Sequence, residues 1–139
     1  MENDALEKAL ANPAEVMELN LRYNELTSLP SEIWQLTNLE RLNLTDNSLT
    51  SLPSEIGQLT NLAILELNGN LLASLPSEIG QLANLEYLGL GYNKLTSLPA
   101  EIGQLTNLER IYLGDKRLIE IARALVVSGC KISYYGLGQ

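Results

Sequence analysis

The chain has 139 residues, of which 45% are hydrophobic and 19% charged, a composition typical of a folded protein. It contains no His and one Cys, which excludes an intramolecular disulfide and removes the residue that zinc sites, catalytic triads and general bases most often use. The net charge of −8 argues against nucleic-acid binding, because phosphate contacts need clustered Lys and Arg. The sequence therefore predicts no enzyme activity, no cofactor and no metal.

The compartment is predicted from two absences in the sequence. No stretch approaches the ~18 consecutive apolar residues that a membrane span needs. The acidic N-terminus lacks the basic region and apolar run of a signal peptide. We therefore expect a cytoplasmic protein that does not contact the membrane, although the sequence is compatible with secretion by a route that needs no signal peptide.

Charge is distributed unevenly along the chain. Residues 1–109 contain fifteen acids and four bases, a net charge of −11, whereas residues 110–139 contain two acids and five bases, a net charge of +3. We expect an acidic body with one basic end.

The first predicted element is a short amphipathic helix over residues 3–11. Leu6 and Leu10 are four residues apart and so lie on one face, and Asn12-Pro13 ends the helix. We expect residues 1–12 to form an N-terminal cap.

A 23-residue repeat follows the cap. Its blocks are residues 13–35, 36–58, 59–81, 82–104 and 105–127, and residues 128–139 form a C-terminal cap. In the second block aliphatic residues occupy positions 1, 4, 7, 9, 14, 17 and 21, with Asn at 12 and Pro at 18: Leu36, Leu39, Leu42, Leu44, Leu49, Leu52, Ile56, Asn47 and Pro53. Such a repeat predicts stacked units, because one unit alone cannot bury its apolar face.

Each block predicts a strand followed by a helical turn. Alternation at positions 7 and 9 indicates a short strand with one buried face, and Leu-Pro-Ser-Glu-Ile favours a helical turn with Glu near its positive end. Glycines follow this turn and are expected to end it with positive φ: Gly57, Gly80 and Gly103. The position-12 asparagines are expected to form a buried structural ladder that satisfies backbone groups of neighbouring turns: Asn24, Asn47, Asn70 and Asn93.

The last predicted elements are a helix and an edge strand. Asp115 is placed to cap the helix, Leu118, Ile121, Ala122 and Leu125 recur at helical spacing, and Gly129 ends it. Residues 130–135 alternate as a closing edge strand would, with Cys130 as a buried cap residue.

The repeat resembles the leucine-rich-repeat family, whose motif is LxxLxLxxN followed by a convex segment. Both ends resemble the caps of small intracellular bacterial members with 23-residue repeats. The resemblance implies an α/β fold and a single, complete domain over residues 1–139. That domain would be a short right-handed horseshoe arc with a parallel concave sheet, short helical or 3-10 turns on the convex side and a cap at each end.

The same resemblance implies that the concave face binds a protein partner. Side chains at positions 6, 8 and 10 point away from the core, and Tyr and Arg are enriched at interface hot spots. We expect Tyr87, Tyr92 and Tyr112 to surround a depression left by Gly89 and Gly91. The complete predicted set is Tyr23, Arg41, Ile64, Glu86, Tyr87, Tyr92, Arg110 and Tyr112. The alternative is that tyrosines simply suit strands.

Two other interpretations stay open. The acidic body and basic end are compatible with head-to-tail self-assembly, and the edge strand with pairing between two copies, so a homo-oligomer is an alternative to partner binding. Trp34 occupies the slot that is Gly in the next three blocks, and either packs against the N-terminal helix or forms a contact site.

Overall fold

The structure, a computed structural model, describes residues 4–134. It contains two α-helices, α1 (Asp4–Ala11) and α2 (Lys116–Leu125). The strands are β1 (Glu18–Asn20), β2 (Arg41–Asn43), β3 (Ile64–Glu66), β4 (Tyr87–Leu90), β5 (Arg110–Leu113) and β6 (Lys131–Tyr134). Short 3-10 helices lie at Pro13–Glu15, Ser31–Gln35, Ser54–Gln58, Ser77–Gln81 and Ala100–Gln104.

The six strands form one parallel sheet in chain order, β1 to β6. Its register follows the repeat, since Leu19, Leu42, Leu65, Leu88, Ile111 and Ile132 are successive Cα partners. The strands lie on one side of the stack and the 3-10 helices alternate with them. The predicted leucine-rich-repeat solenoid is therefore confirmed.

The core runs through the stack as a column of leucines and isoleucines. In the second block all seven repeat aliphatics are buried, six of them completely and Leu52 at 5% exposure. Each block covers the apolar face of its neighbour, which is why an array of short units can bury what a single unit leaves exposed.

Two asparagine ladders run along the stack, and sequence reasoning identified one of them. In the predicted ladder, Asn47 donates to the carbonyls of Leu21 and Leu44 at 3.0 and 2.9 Å, and Asn70 donates to those of Leu44 and Leu67 at 3.0 and 3.1 Å. The second ladder lies at position 3 and is exposed. There each side chain donates to a carbonyl of the preceding block at 2.7–3.0 Å, in Asn38, Asn61, Asn84 and Asn107. The recurrence of Asn at position 3 was the available signal.

The repeat glycines do not have the predicted conformation. Gly57, Gly80 and Gly103 lie inside 3-10 helices, and none has a positive φ, so that prediction is wrong. Their role is close approach: a Cβ on Gly80 would lie 2.8 Å from both Cβ and the carbonyl oxygen of Glu101 in the next turn. In the first turn, where Trp34 occupies this position, its side chain is half-buried against the core.

Both ends of the stack are covered by a helix. Leu6 and Ala9 of α1 are buried, with Leu10 half-buried, and α2 buries Leu118, Ile119 and Ala122. Asp115 caps α2 as predicted, accepting a hydrogen bond from the Arg117 backbone at 2.8 Å. The helix ends at Leu125, so Gly129, with φ of +91°, belongs to the turn before β6 rather than to the helix end. Residues 1–3 and 135–139 of the predicted caps lie outside the described part of the chain.

Candidate functional site: the concave face of the sheet

The concave face is organised in rows that cross the strands. The first strand residues pair in succession, which places these side chains next to one another: Glu18, Arg41, Ile64, Tyr87, Arg110 and Lys131. We call them row six, after their position in the repeat. Adjacent members lie one strand apart, ~4.8 Å. The chemistry changes along the row from charged to apolar and back to basic.

A groove of about 430 Å³ lies at the C-terminal half of row six. We call it the tyrosine groove, lined by Ile64, Glu86, Tyr87, Glu109, Arg110, Gly129 and Lys131. Ile64 and Tyr87 are half-buried, whereas the four charged residues are exposed. The groove therefore combines a partly apolar floor with a charged rim, and its volume lies within the range of ligand pockets.

The charged rim has no partners within the described chain. Across residues 4–134 the ion pairs are Arg41–Glu66, Arg117–Asp115 and Arg123–Glu120. None of them involves the two bases or the two acids of the tyrosine groove, and none of these four side chains forms a hydrogen bond within that range. Two positive and two negative groups are therefore left to water or to a partner.

The glycines beside the groove do not leave the predicted depression. A Cβ on Gly91 would lie 2.8 Å from Cδ2 of Tyr112, and one on Gly89 would lie 3.1 Å from the Tyr87 hydroxyl. The Asn68 side chain also occupies this space and accepts a hydrogen bond from the Gly91 backbone at 2.7 Å. Side chains of neighbouring strands fill the space above both glycines, and the groove lies beside them, along row six.

Tyr92 and Tyr23 do not line the tyrosine groove. Both have left-handed backbones, with φ of 57° and 58°, and remain 57% and 60% exposed. Tyr23 lies against the Arg22 guanidinium, whose carbon is 4.7 Å from the ring centroid. Tyr112 does not line the groove either, so of the four tyrosines in the predicted set the groove contains Tyr87.

Arg41 lies in a different, N-terminal groove of about 350 Å³, lined by Glu18, Leu19, Asn20, Arg22, Arg41 and Asn43. Its guanidinium is paired with Glu66 at 3.1 Å. Of the eight predicted binding residues, the tyrosine groove collects four: Ile64, Glu86, Tyr87 and Arg110.

Glu109, Gly129 and Lys131 line the tyrosine groove but were not predicted as binding residues. The position of Glu109 in the repeat, one residue before row six, was the available signal for that residue. Lys131 had no such signal, because β6 pairs with β5 at an offset of 21 residues instead of 23.

We also searched the described residues for a metal site, a membrane-spanning helix and a reactive thiol. Residues 4–134 contain no group of three His, Cys, Asp or Glu side chains able to hold a metal ion, and no helix long and apolar enough to cross a membrane. Cys130 is half-buried and packs against the core, and this burial raises the pKa of its thiol.

The fold defines a class of protein: repeat solenoids, in which stacked units create an extended concave surface. Family profiles described as "Leucine-rich repeat region" and "Leucine rich repeat" match residues 8–86 and 60–118. The chain therefore belongs to the leucine-rich-repeat family. Domains of this family generally mediate protein–protein interactions and are generally non-catalytic.

Two solved structures illustrate the likeness. A leucine-rich-repeat protein of Leptospira interrogans is 40% identical over 95% of this chain, with a TM-score of 0.62. The leucine-rich-repeat domain of a Shigella effector is 29% identical over 79% of this chain, with a TM-score of 0.64. The matched regions span 39% and 44% of those two chains. No curated protein matches this chain.

Proposed function

We propose that this chain is a non-catalytic recognition module that binds a protein partner on its concave face, through the tyrosine groove. The observation that carries this proposal is the groove itself, where half-buried Ile64 and Tyr87 adjoin four charged groups that form no ion pair within residues 4–134. Tyr and Arg side chains with an apolar neighbour are typical of interface hot spots. We further propose that the protein acts in the cytoplasm, which cell fractionation tests.

The test compares groove variants with a matched control. The groove variants are Tyr87→Ala and Arg110→Ala; the control is Gln35→Ala/Gln58→Ala, which removes two exposed side chains at the ends of 3-10 helices outside the groove. Each protein is immobilised, exposed to lysate of the source organism, and its bound proteins are quantified by mass spectrometry. We expect a partner held by the wild type and the control to be lost from both groove variants, at least about tenfold for a hot-spot residue.

Stability must be controlled in the same experiment. Tyr87 is half-buried, so its removal affects packing as well as the surface, whereas exposed Arg110 does not contribute to the core. Circular dichroism should therefore show all variants folded at the capture temperature. Equal capture by wild type, Tyr87→Ala and Arg110→Ala would contradict the proposal.

Self-assembly is the second candidate, and two observations favour it. The chain has an acidic body and a basic end. In addition, β6 is the last strand of the sheet, and within residues 4–134 no strand pairs with its outer edge. Size-exclusion chromatography with light scattering at low and high salt tests it. A monomer in both conditions supports the recognition module, a salt-sensitive oligomer supports head-to-tail assembly, and a salt-resistant dimer supports pairing through β6.

A further inference from the structure

We infer that the tyrosine groove takes an extended peptide segment of its partner that places an apolar, a basic and an acidic residue in this order along row six, from Tyr87 toward Lys131. This inference rests on the proposed function and specifies the chemistry of the partner. It is carried by the order of side chains along row six and by the unpaired charges on both sides of the groove.

The order of side chains sets the length of the segment and the end of it that carries the acid. From β3 to β6, row six presents Ile64, Tyr87, Arg110 and Lys131, so an apolar half is followed by a basic half. Three strand spacings amount to ~14 Å, and an extended chain of ~3.3 Å per residue covers this span with about four to five residues. A short extended segment that crosses the strands therefore fits the row.

The two bases of the groove have no ion-pair partner among residues 4–134. Arg110 and Lys131 form no ion pair or side-chain hydrogen bond within residues 4–134. In the N-terminal groove, by contrast, Arg41 is already paired with Glu66 at 3.1 Å. A carboxylate from the partner would be attracted to both the Arg110 guanidinium and the Lys131 ammonium, which are Cα partners on neighbouring strands.

The spacing places that acid two residues from the apolar anchor. With the anchor at Tyr87, Arg110 lies one strand away at ~4.8 Å and Lys131 two strands away at ~9.6 Å. Two residues of extended chain cover ~6.6 Å, which falls between these two bases.

The peptide residue between the apolar anchor and the acid is basic because Glu86 and Glu109 line the other side of the groove. Alternate side chains of an extended segment point to opposite sides. If the anchor and the acid face row six, the intervening side chain faces position five, where Glu86 and Glu109 line the groove. Those two carboxylates also make a nucleic acid a poor occupant, because they would repel the phosphates that Arg110 and Lys131 attract.

The test selects peptides from a phage-displayed library of random short peptides on four immobilised proteins. These are the wild type, Arg110→Glu/Lys131→Glu, Arg110→Gln/Lys131→Gln and the control Lys116→Glu/Arg123→Glu. The control makes the same change in net charge on exposed residues of α2, outside the groove. All four substituted side chains are exposed, and circular dichroism checks that each variant folds.

The expected result is a charge switch at one peptide position. The wild type and the control should enrich the apolar–basic–acidic order, with the acid at least about fivefold above its frequency in the unselected library. Arg110→Gln/Lys131→Gln should lose the preference for the acid, and Arg110→Glu/Lys131→Glu should replace it by a preference for Lys or Arg.

Two results would overturn the inference. One is enrichment of the same peptides by the wild type and by Arg110→Glu/Lys131→Glu; the other is no enrichment by the wild type. The proposed function is judged separately, by the loss of the captured partner in Tyr87→Ala and Arg110→Ala. Capture lost in those variants without a charge switch among peptides would leave the concave face as the binding site and remove this peptide chemistry.

Discussion

At the scale of single residues, Asn47 connects the first two blocks of the repeat. Its side chain accepts hydrogen bonds from the backbones of Asn24 and Leu26 at 3.0 Å and donates to the carbonyls of Leu21 in the preceding block and Leu44 in its own block. It is 8% exposed, so water cannot replace these bonds. We expect Asn47→Ala to lower the free energy of unfolding by about 1–3 kcal/mol, because it leaves buried backbone groups without partners. Urea unfolding monitored by circular dichroism measures this.

Asn61 in the exposed ladder provides the comparison for Asn47. Its side chain donates one hydrogen bond, to the Thr37 carbonyl at 3.0 Å, and water can take its place. We expect Asn61→Ala to cost less than about 1 kcal/mol. Equal losses in the two variants would show that burial does not decide the contribution of these asparagines.

Gly80 is the repeat glycine where close approach matters most. A Cβ added at Gly80 would lie 2.8 Å from the backbone carbonyl oxygen of Glu101. A Cβ added at Gly57 would first contact the flexible end of the Gln81 side chain, and the nearest backbone oxygen would be 3.1 Å away. We expect Gly80→Ala to destabilise the protein by about 1–3 kcal/mol and Gly57→Ala by less. Thermal melts of both variants test the order, and a larger loss in Gly57→Ala would contradict it.

At the scale of elements, the start of α2 is held by a charged cap. Asp115 accepts hydrogen bonds from the Arg117 side chain, the shortest at 2.7 Å, and from its backbone. These bonds, the side-chain bond first, hold the pKa of the Asp115 carboxyl below its ordinary value. The ionised cap therefore stabilises the fold above the pKa of this carboxyl in the unfolded chain. That stabilisation disappears as the pH falls through the lower pKa of the folded state.

This pH dependence is tested with Asp115→Asn, which keeps a capping side chain and removes the charge. We expect the variant to melt below the wild type by a constant margin from neutral pH down to ~5, with the margin shrinking in stronger acid. Calorimetric melting temperatures across this range provide the measurement. A margin that persists unchanged at the acid end would show that ionisation of Asp115 does not contribute.

The two halves of the concave sheet differ because of side-chain pairing between elements. Between β2 and β3, Arg41 and Glu66 neutralise one another, and between β4 and β5 the Tyr112 ring covers Gly91. Between β5 and β6, by contrast, Arg110 and Lys131 are Cα partners of like charge. Within residues 4–134 this last pair forms no ion pair, so the bases of the C-terminal half remain available to a partner.

At the scale of the whole molecule, stacking makes neighbouring blocks depend on one another. Trp34, the one tryptophan in the sequence, lies in the first block and packs half-buried against the core, whereas circular dichroism reports on all blocks. Because a helix covers each end of this short array, we expect fluorescence and circular dichroism to give the same urea midpoint. A lower midpoint by fluorescence would show that the first block unfolds separately.

A substitution in the middle block extends the same test. Leu65 is completely buried in β3, and Leu65→Ala should cost about 2–5 kcal/mol through the cavity it leaves. In a cooperative array the fluorescence midpoint, measured two blocks away, should fall together with that of circular dichroism. A shift confined to one of the two signals would contradict cooperative unfolding.

The sequence by itself determined the repeat, the strand positions, the asparagine ladder and the cap at Asp115. Of the four asparagines predicted to be buried, Asn47 and Asn70 are buried, whereas Asn24 and Asn93 are half-buried. The cap at Asp115 is a local hydrogen bond to the backbone of Arg117, two residues further on. The repeat, the strands and the ladder depend instead on burial or hydrogen bonding that recurs every 23 residues, so a single block such as Leu36 to Gln58 already contains that information. The exposed ladder at Asn61 was visible in the same way and was overlooked.

The groove was decided by the tertiary structure, because its residues do not share the repeat. Lys131 joins row six because β6 pairs with β5 at an offset of 21 residues, whereas the repeat has 23. The Tyr112 ring fills the space above Gly91 that the sequence predicts to be empty. The prediction for the repeat glycines was wrong because it considered only their own backbone. Gly80 is glycine because Glu101 of the next turn leaves no space for a Cβ. Local pattern fixes which face of each strand is buried, whereas the shape and charge of the exposed face depend on how side chains from different blocks meet.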